Sequence, residues 1–417
     1  MASEDYIIIE DNVNQEIILS SKLSKKLKPK FTGDFLKKYE KYLHNNLYNE
    51  FRFPVKIRNK KNKKFNPFLR LAIPEESHII AEIVKETYEG TYPYKEMEDP
   101  FEINRMIKSG KYKFIVFLDE ESKIIGSTCF VINLKEKKGY LRSLVVRKEW
   151  IGKIDAKRAY ITACLMVWNI YRNKILLWWA ETRTADAKTQ AITRECGLIP
   201  IAWFPNKDIF YNRIESDLMI IIYNKKRLEK YRSKRIPSII PCVIRCYEYS
   251  KLNYHLENPK IVSTNLKINE RYLKKLEKKL RISKNQDKYG YVRYRFLLKD
   301  SKSFFEFVYT PKVKNFEKTK FKVRNPTELF LFLSHCTNLA EKLDIRYIEA
   351  YISSYESKHQ QIFFNFGFKP RGYIPAWNIN PLTCLFEDYI LFNKYKKNLS
   401  EMELTQESKD LITYIKD

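Results

Sequence analysis

The chain carries one strand–turn–helix–strand pattern twice. The first copy covers residues 177–204 and the second covers residues 350–375. Glycine commonly ends a helix and proline limits a strand, so shared glycines and prolines mark the same structural boundaries. The pattern indicates an internal duplication, and the alternative is that two ordinary strand–helix–strand units converged. At an offset of 170 positions, without a gap, the copies share Lys188 with Lys358, Gln190 with Gln360, Ile192 with Ile362, Gly197 with Gly367, Pro200 with Pro370, and Pro205 with Pro375.

The length and the apolar content predict a globular protein with more than one domain. A chain of 417 residues is long enough for two or three cores, and 44% of its residues are hydrophobic. No stretch approaches the roughly 20 apolar residues that a membrane span needs. The N-terminus, MASEDYIIIEDNVNQ, lacks the charged-then-apolar order of a signal peptide. We therefore expect a cytoplasmic location and no membrane span.

The cysteines do not form the pattern of a metal site. Only Cys242 and Cys246 are close in sequence, and neither a second pair nor a histidine cluster completes a tetrahedral zinc set. We therefore expect buried, reduced thiols and no metal. The seven cysteines are Cys129, Cys164, Cys196, Cys242, Cys246, Cys336 and Cys384.

The chain is strongly basic, with 78 Lys and Arg against 50 Asp and Glu and a net charge of +28. Basic clusters cover Lys22–Lys30, Lys56–Lys64 and Lys225–Arg235. Clustered cations attract phosphate backbones through counterion release, so nucleic acid is one candidate partner. The alternative is a biased genome, because the chain is also rich in Ile, Asn, Tyr and Phe.

From residue 68 onward, the periodicity of apolar residues predicts a mixed α/β (α+β) fold in which helices flank a mixed sheet. Pro237 and Pro241 mark a linker between two halves. We expect a basic N-terminal extension over residues 1–67, one domain over 68–236 and a second over 237–417. The predicted strands cover 69–73, 112–118, 124–134, 140–146, 177–180, 199–204, 217–223, 289–298, 304–310, 345–352 and 389–392, and the longer predicted helices cover 74–90, 156–171, 225–235, 269–282 and 326–343.

Three segments of the first half resemble the GNAT superfamily of N-acyltransferases. They are K-I-I-G-S at 123–127, S-L-V-V-R-K-E-W-I-G-K-I-D-A-K-R at 143–158, and the strand–helix unit that ends in Gly197-Leu198. The resemblance covers residues 68–224 and implies a donor, acetyl-CoA or another acyl-CoA, held between the fourth and fifth strands. The second half is similar to a degenerate copy reduced mainly to its C-terminal portion, which we expect to shape the substrate cleft or to bind a partner.

A loop that feeds a helix N-terminus exposes unpaired N–H groups and a partial positive charge, which suits a pyrophosphate. Residues 147–155 form such a loop before the helix at 156, although only Ala156 fits the family's glycine-rich spacing. Asp155 either repels a phosphate or serves as the N-cap of the helix. The resemblance implies that the donor contacts Leu144, Val145, Val146, Gly152, Lys153, Ile154, Asp155, Ala156, Lys157 and Asp186.

The candidate catalytic residues are Glu181 and Arg183, at the end of the strand beside the expected acyl site. Glu181 can deprotonate an amine directly or through water. The alternative role of Glu181 is a salt bridge to Arg183 or to Arg142. We expect Arg142 to contact the substrate, together with Asn206 and Lys207 in a loop over residues 204–208.

These features predict an N-acyltransferase, with acetyl as the expected group, that transfers an acyl group from acyl-CoA to an amine acceptor. The tyrosine that many family members place four residues before the Gly197 position is Thr193 here and Phe363 in the second copy. The alternative is therefore a GNAT-like protein that is non-catalytic or uses aminoacyl-tRNA, and that binds nucleic acid or a protein partner.

Overall fold

The computed structural model of the protein describes residues 31–43, 50, 52, 64–396 and 398–416. Most of the predicted extension over residues 1–67 lies outside these ranges. The basic cluster Lys22–Lys30 and residues 56–63 of the second cluster also lie outside them.

The first half contributes seven strands and six helices within the described ranges. Its helices are α1 (Thr32–Lys38), α2 (Ser77–Tyr88), α3 (Pro100–Lys108), α4 (Ala156–Tyr171), α5 (Lys188–Glu195) and α6 (Lys225–Glu229). Its strands are β1 (Phe68–Leu71), β2 (Tyr112–Leu118), β3 (Ile124–Asn133), β4 (Lys138–Val146), β5 (Leu177–Arg183), β6 (Ile199–Phe210) and β7 (Arg213–Tyr223).

The second half repeats this alternation. Its helices are α7 (Ile244–Tyr254), α8 (Glu270–Glu277), α9 (Pro326–Lys342), α10 (Ser357–Asn365) and α11 (Gln406–Ile415). The short strands β8 (Ser238–Ile239) and β9 (Lys260–Ile261) pair with each other. The remaining strands are β10 (Leu280–Gln286), β11 (Val292–Leu298), β12 (Ser303–Thr310), β13 (Asn315–Lys322), β14 (Tyr347–Ser353), β15 (Lys369–Ile379) and β16 (Phe386–Tyr395).

In the described part of the chain, one sheet of fourteen strands runs through both halves and confirms the predicted mixed α/β fold. Its order is β1-β2-β3-β4-β5-β7-β6-β15-β16-β14-β13-β12-β11-β10, so each half has the same internal order. Within this sheet, each half contains one parallel pair, β4 with β5 and β13 with β14, among antiparallel neighbours. None of the described helices has the length and apolarity needed to cross a membrane.

The two halves meet where β6 pairs with β15, through Ala202 opposite Gly372. These residues are 170 positions apart, which is the offset of the sequence repeat. A Cβ at Gly372 would lie 2.2 Å from the Cβ of Ala202 and 2.6 Å from its Cα. Only glycine therefore lets the strands approach this closely.

The shared glutamine of the repeat has the same role in both copies. The Nε2 of Gln190 donates to the carbonyl of Arg183 at 3.2 Å and to that of Glu403 at 2.9 Å. The Nε2 of Gln360 donates to the carbonyls of Ser353 and Ser238 at 3.1 and 3.0 Å. Each glutamine thus ties the end of a strand in its own half to a distant segment of the chain.

The core is continuous across the joint and includes a buried cation. Arg227 is fully buried and donates to the carbonyls of Ala376 and Trp377 in the second half. It also donates to the carbonyls of residues 136 and 137 in the first half. Its guanidinium lies 3.6 Å from the ring centroid of Phe386, and burial lowers the pKa of Arg227 to about 9. One side chain therefore satisfies backbone carbonyls of both halves.

Several predicted elements differ from the structure. Residues 204–208, expected as a loop, lie within β6, which continues past Pro205 with an irregularity opposite β7. A bulge lets the strand accommodate a residue without an N–H donor. The helix predicted over 225–235 ends at Glu229, and the one predicted over 269–282 ends at Glu277 and is followed by β10. The second half is also fuller than expected, because β10 and β13 complete its sheet.

Candidate active-site cleft

A cleft of about 1060 Å³ lies between the two halves, on one face of the sheet. The parallel pair β4–β5 runs from Lys138 opposite Leu177 to Leu141 opposite Ala180 and then separates. The strands alternate, so Leu141, Trp178 and Ala180 pack into the core against α4 while their neighbours line the cleft. The first half contributes Tyr140, Arg142, Trp179, Glu181 and Lys207, and the second contributes Glu317, Glu349, Tyr351 and Trp377.

Lys207 joins two carboxylates, one from each half, at the floor of the cleft. Its Nζ lies 2.9 Å from Oε1 of Glu181 and 3.6 Å from Oε2 of Glu349. The side chains of Lys207, Glu181 and Glu349 are 3%, 14% and 7% exposed. Burial alone would lower the pKa of Lys207, but the two carboxylates raise it well above its ordinary value. Burial raises the pKa of Glu349 to about 7, although Lys207 acts in the opposite direction.

Glu181 therefore forms a salt bridge, but with neither of the expected partners. Arg183 forms a two-point contact with Glu215, at 2.7 Å for both Nε and Nη2, and lies 4.3 Å from the ring centroid of Phe210. Burial alone would lower the pKa of Arg183, but the hydrogen bonds and charge of Glu215 raise it. Arg183 is thus held by the first half's own side chains and is not among the residues that line the cleft.

Arg142 lines the cleft with spare hydrogen-bonding capacity. Its Nη2 lies 3.5 Å from Oε1 of Glu96, and its guanidinium lies 5.7 Å from the ring centroid of Tyr94. Its buried Nε has no hydrogen-bond partner among the described residues. Within the described part of the chain, this N–H is an unpaired donor in the protein interior.

Asn206, by contrast, has a structural role. It is fully buried, its Nδ2 donates to the carbonyl of Asn398 at 2.9 Å, and its Oδ1 accepts from the N–H of Ser400 at 3.1 Å. Asn206 and Lys207 were both expected to contact the substrate. Of the two, Lys207 lines the cleft and Asn206 does not.

A row of aromatic rings forms one wall of the cleft. Tyr140 and Trp179 lie 4.3 Å apart by ring centroids, Trp179 and Trp377 5.3 Å, and Trp377 and Tyr351 5.6 Å. The Nζ of Lys138 lies 3.7 Å from the centroid of Trp377. Burial lowers the pKa of Lys138 to about 7, against the opposing effect of the carboxylate of residue 136. The wall is thus rich in π surface that binds cations.

One end of the cleft is closed by contacts between the halves. The hydroxyl of Tyr94 donates to Oε2 of Glu317 at 3.3 Å. The hydroxyl of Tyr289, in the β10–β11 hairpin, donates to Asp99 at 2.6 Å, and Lys288 forms an ion pair with Asp99 at 2.8 Å. The hairpin therefore rests on the start of α3.

In the loop that was predicted to bind acyl-CoA, several backbone N–H groups already donate to carbonyls of the protein. The N–H groups of Lys153 and Ile154 donate to the carbonyl of Trp150 at 3.1 Å, and that of Asp155 donates to the carbonyl of Phe65 at 2.6 Å. The carboxylate of Asp155 accepts from the N–H of Arg158 at 3.0 Å, so it is the N-cap of α4.

The remaining predicted donor residues lie around this loop and are not grouped in the cleft. Val145 is in the core under α2 and α3, and Leu144 and Val146 pack at the edge of the α4 core. Gly152 has a φ of +83°, and Asp186 accepts from the N–H of Lys188 at 2.9 Å. Ala156 begins α4, and Lys157 forms an ion pair with Glu195 at 3.1 Å.

A second opening lies between β13 and β14, which pair only through residues 315–316 and 347–348. Lys320, Lys322, Arg324 and Lys358 line the cleft there, and none forms an ion pair within the described ranges. His359 lies beside them, and burial lowers its pKa.

The sequence analysis expected the second half to shape the cleft or to bind a partner, but it named none of the second-half residues that line the cleft. Glu349 stands in the strand Tyr347–Ser353, most of whose residues are buried, and a carboxylate in such a strand is a signal that a partner cation lies nearby.

The described residues contain no group of three or more His, Cys, Asp or Glu side chains placed to hold a metal ion.

No protein-family model and no curated protein sequence matches this chain. Among solved structures, the chain is similar to a dodecameric spermidine N-acetyltransferase from Vibrio cholerae, at 17% identity over 39% of this chain and 96% of that chain, with a TM-score of 0.32. It is also similar to a ribosomal-protein-S5-alanine acetyltransferase from Vibrio fischeri, at 14% identity over 42% of this chain and 97% of that chain, with a TM-score of 0.33. Both of those proteins are acetyltransferases.

Proposed function

We propose that this protein is an N-acyltransferase, built from two GNAT-like halves, that transfers an acyl group from acyl-CoA to an amine. The observation that carries the proposal is the position of Glu181. It lies at the point where β4 and β5 cease to pair, and its side chain faces a cleft large enough for a substrate. The resemblance to the superfamily implies that the thioester lies at this separation.

The tandem organisation is supported by the repeated strand order and by the joint at Ala202 and Gly372. A pairing between residues that are equivalent in the repeat places the two halves in one sheet about an approximate two-fold axis. Both halves then present the same sheet face to the cleft. The second half completes the acceptor site by supplying Glu349 and the rings of Tyr351 and Trp377.

The chemistry follows from the residues at the cleft floor. An amine is mostly an ammonium ion near neutral pH, and it must lose a proton before its nitrogen can attack the thioester carbonyl. Glu181 takes that proton directly or through a water molecule, while Lys207 fixes the position of its carboxylate. Attack forms the N–C bond, and the C–S bond then breaks to release the thiolate of CoA.

The donor phosphates have two candidate positions. The loop at 147–155 is the predicted one, although its helix is capped by Asp155 and Lys157 is already paired. The opening between β13 and β14 offers Arg324 and Lys358 without ion pairs in the described part of the chain. Paired variants that each remove two cations, K153Q/K157Q and R324Q/K358Q, separate the two positions.

The first test is thermal unfolding with acetyl-CoA and with longer acyl-CoAs. A ligand at about a hundred times its dissociation constant adds roughly 2.7 kcal/mol of stability. We expect an upward shift in Tm, and we expect one of the two paired variants to lose it. Release of the CoA thiol in the presence of amines then measures transfer. A folded protein that shows no shift with any acyl-CoA and no thiol release would exclude the enzyme and favour a non-catalytic or tRNA-dependent protein.

A further inference from the structure

The sheet face of β10–β13 that lies on the cleft side is exposed, whereas its counterpart in the first half is covered. In the first half, α2 and α3 separate β1 from β2, and Ile80, Ile83 and Val84 pack against Phe114 and Val116. In the second half, β10 leads into β11 through a short hairpin over residues 287–291. No helix therefore intervenes between these two strands to cover the face.

Cations occupy this face in rows that cross the strands. One row places Arg281, Leu297, Phe304 and Lys322 opposite one another. Residues directly opposite in antiparallel strands share a face of the sheet. The next row places Ser283, Arg295, Glu306 and Lys320 together, and Arg293 follows in the third.

We name Arg281, Arg293, Arg295, Lys320 and Lys322 the basic sheet face. All five side chains are exposed. One carboxylate, Glu306, lies among them, with Arg293 at 2.6 Å and Arg295 at 3.7 Å. Arg281, Lys320 and Lys322 have no ion pair among the residues that the structure describes. The strands are about 4.8 Å apart, so these positive charges are close enough to bind one polyanion together.

Two further features of the basic sheet face and its surroundings narrow the class of polyanion that it can bind. Phe304 is half-buried in the middle of the face, with the guanidinium of Arg295 at 4.9 Å from its ring centroid. A partly exposed ring among cations can stack a nucleobase while the cations hold phosphates. Lys320 and Lys322 also line the cleft, together with Tyr94 and Glu96 of the first half. A flexible single strand can enter such a recess, whereas a flat bilayer and a rigid duplex cannot follow it.

We propose that the basic sheet face binds single-stranded nucleic acid and leads it to the mouth of the cleft. The phosphates contact Arg281, Lys320 and Lys322, and Phe304 stacks against a base. This inference rests on the exposed face and its charges, independently of the acyl transfer proposed above.

The test is fluorescence anisotropy of a labelled single-stranded RNA of mixed sequence with the full chain, at several salt concentrations and without acyl-CoA. The variant R281Q/K320Q/K322Q removes three exposed cations. The control K274Q/K275Q/K278Q removes three exposed cations on and beside α8. Each phosphate contact in a single strand contributes about 0.7 to the slope of log affinity against log salt. We expect the variant to lower that slope by about 2 and to weaken binding about a hundredfold at 0.1 M salt.

The wild type and the control should bind with the same slope, and F304A should weaken binding without changing the slope. Equal losses in the variant and the control would overturn the proposal, because binding would then follow net charge alone. Absence of RNA binding by the wild type, or tighter binding to anionic vesicles or to duplex RNA than to the single strand, would also overturn it. Thermal unfolding of each variant verifies that it is folded.

Discussion

Removal of the Lys207 ammonium tests whether the cleft floor is held together by charge. The variant Lys207→Met keeps much of the aliphatic volume over the ring of Phe204, from which the Nζ lies 4.4 Å. It leaves the carboxylates of Glu181 and Glu349 without the cation that lies 2.9 and 3.6 Å from them. Removal of one partner of a buried ion pair costs about 3–5 kcal/mol because the remaining charge is uncompensated. We therefore expect Lys207→Met to lower the free energy of unfolding by about 3–5 kcal/mol at pH 8.

The loss should shrink as the pH falls. Glu349 already has a pKa of about 7 in the folded protein because burial disfavours its charged form. Without Lys207 its folded pKa rises further above the unfolded value of about 4.3. A carboxyl group whose pKa is raised on folding destabilises the folded state at pH values above its unfolded pKa, and the penalty shrinks as the pH falls from the folded pKa toward the unfolded one. The variant should therefore recover part of its stability between pH 8 and pH 5.5.

Urea unfolding at pH 8 and at pH 5.5 measures both effects. The matched control is K207M/E181Q/E349Q, which removes the cation together with both carboxylates and should be more stable than K207M at pH 8. If K207M loses the same free energy of unfolding at both pH values, and the triple variant is no more stable than K207M, the reasoning is refuted. Lys207 would then act through packing on Phe204.

Three other substitutions test the joint and the chemistry. G372A should destabilise the protein by about 1–3 kcal/mol in urea unfolding, because its Cβ would meet the backbone of Ala202, whereas G33A, at a position with nothing within 4 Å, should not. R227M should leave four carbonyls without their donor and increase proteolytic cleavage between the halves, and unchanged protection would contradict that role. E181Q should lower acyl transfer by about a hundredfold or more, and full activity in the folded variant would remove Glu181 from the chemistry.

The repeat in the sequence predicted more of the fold than the strand patterns did. The shared glycines, prolines and glutamines occupy equivalent positions, and the offset of 170 recurs where Ala202 meets Gly372. What the sequence could not indicate is that these equivalent residues pair with each other, because that contact depends on the close approach of two strands far apart in the chain.

The strand β13 was missed because its alternation is interrupted. Phe316 and Phe321 both pack in the core, yet they are five residues apart, and the register shifts between them. Lys318 has a φ of +56° at this point. A bulge adds one residue to the strand, so a search for strict period-two alternation sees polar residues on both faces.

Only some residues of the proposed site could be chosen from the sequence. Glu181 and Lys207 could be chosen because each stands at the end of an apolar run in the first half. Glu349 could not, because its importance comes from a cation on the opposite side of the joint. A sequence read one half at a time predicts the residues of each half but not the pair that the two halves make together.

The proposed duplication would account for halves that differ at their openings. In the first half, Lys157 is neutralised by Glu195, and Asp155 caps the helix that would receive a phosphate. In the second, Arg324 and Lys358 keep their charges free within the described ranges. The two openings do not both need to bind the donor. If R324Q/K358Q loses the upward shift in Tm with acyl-CoA while K153Q/K157Q keeps it, the second half binds the phosphates and the first half supplies the catalytic carboxylate. The opposite result would assign both to the first half and leave the second with the acceptor.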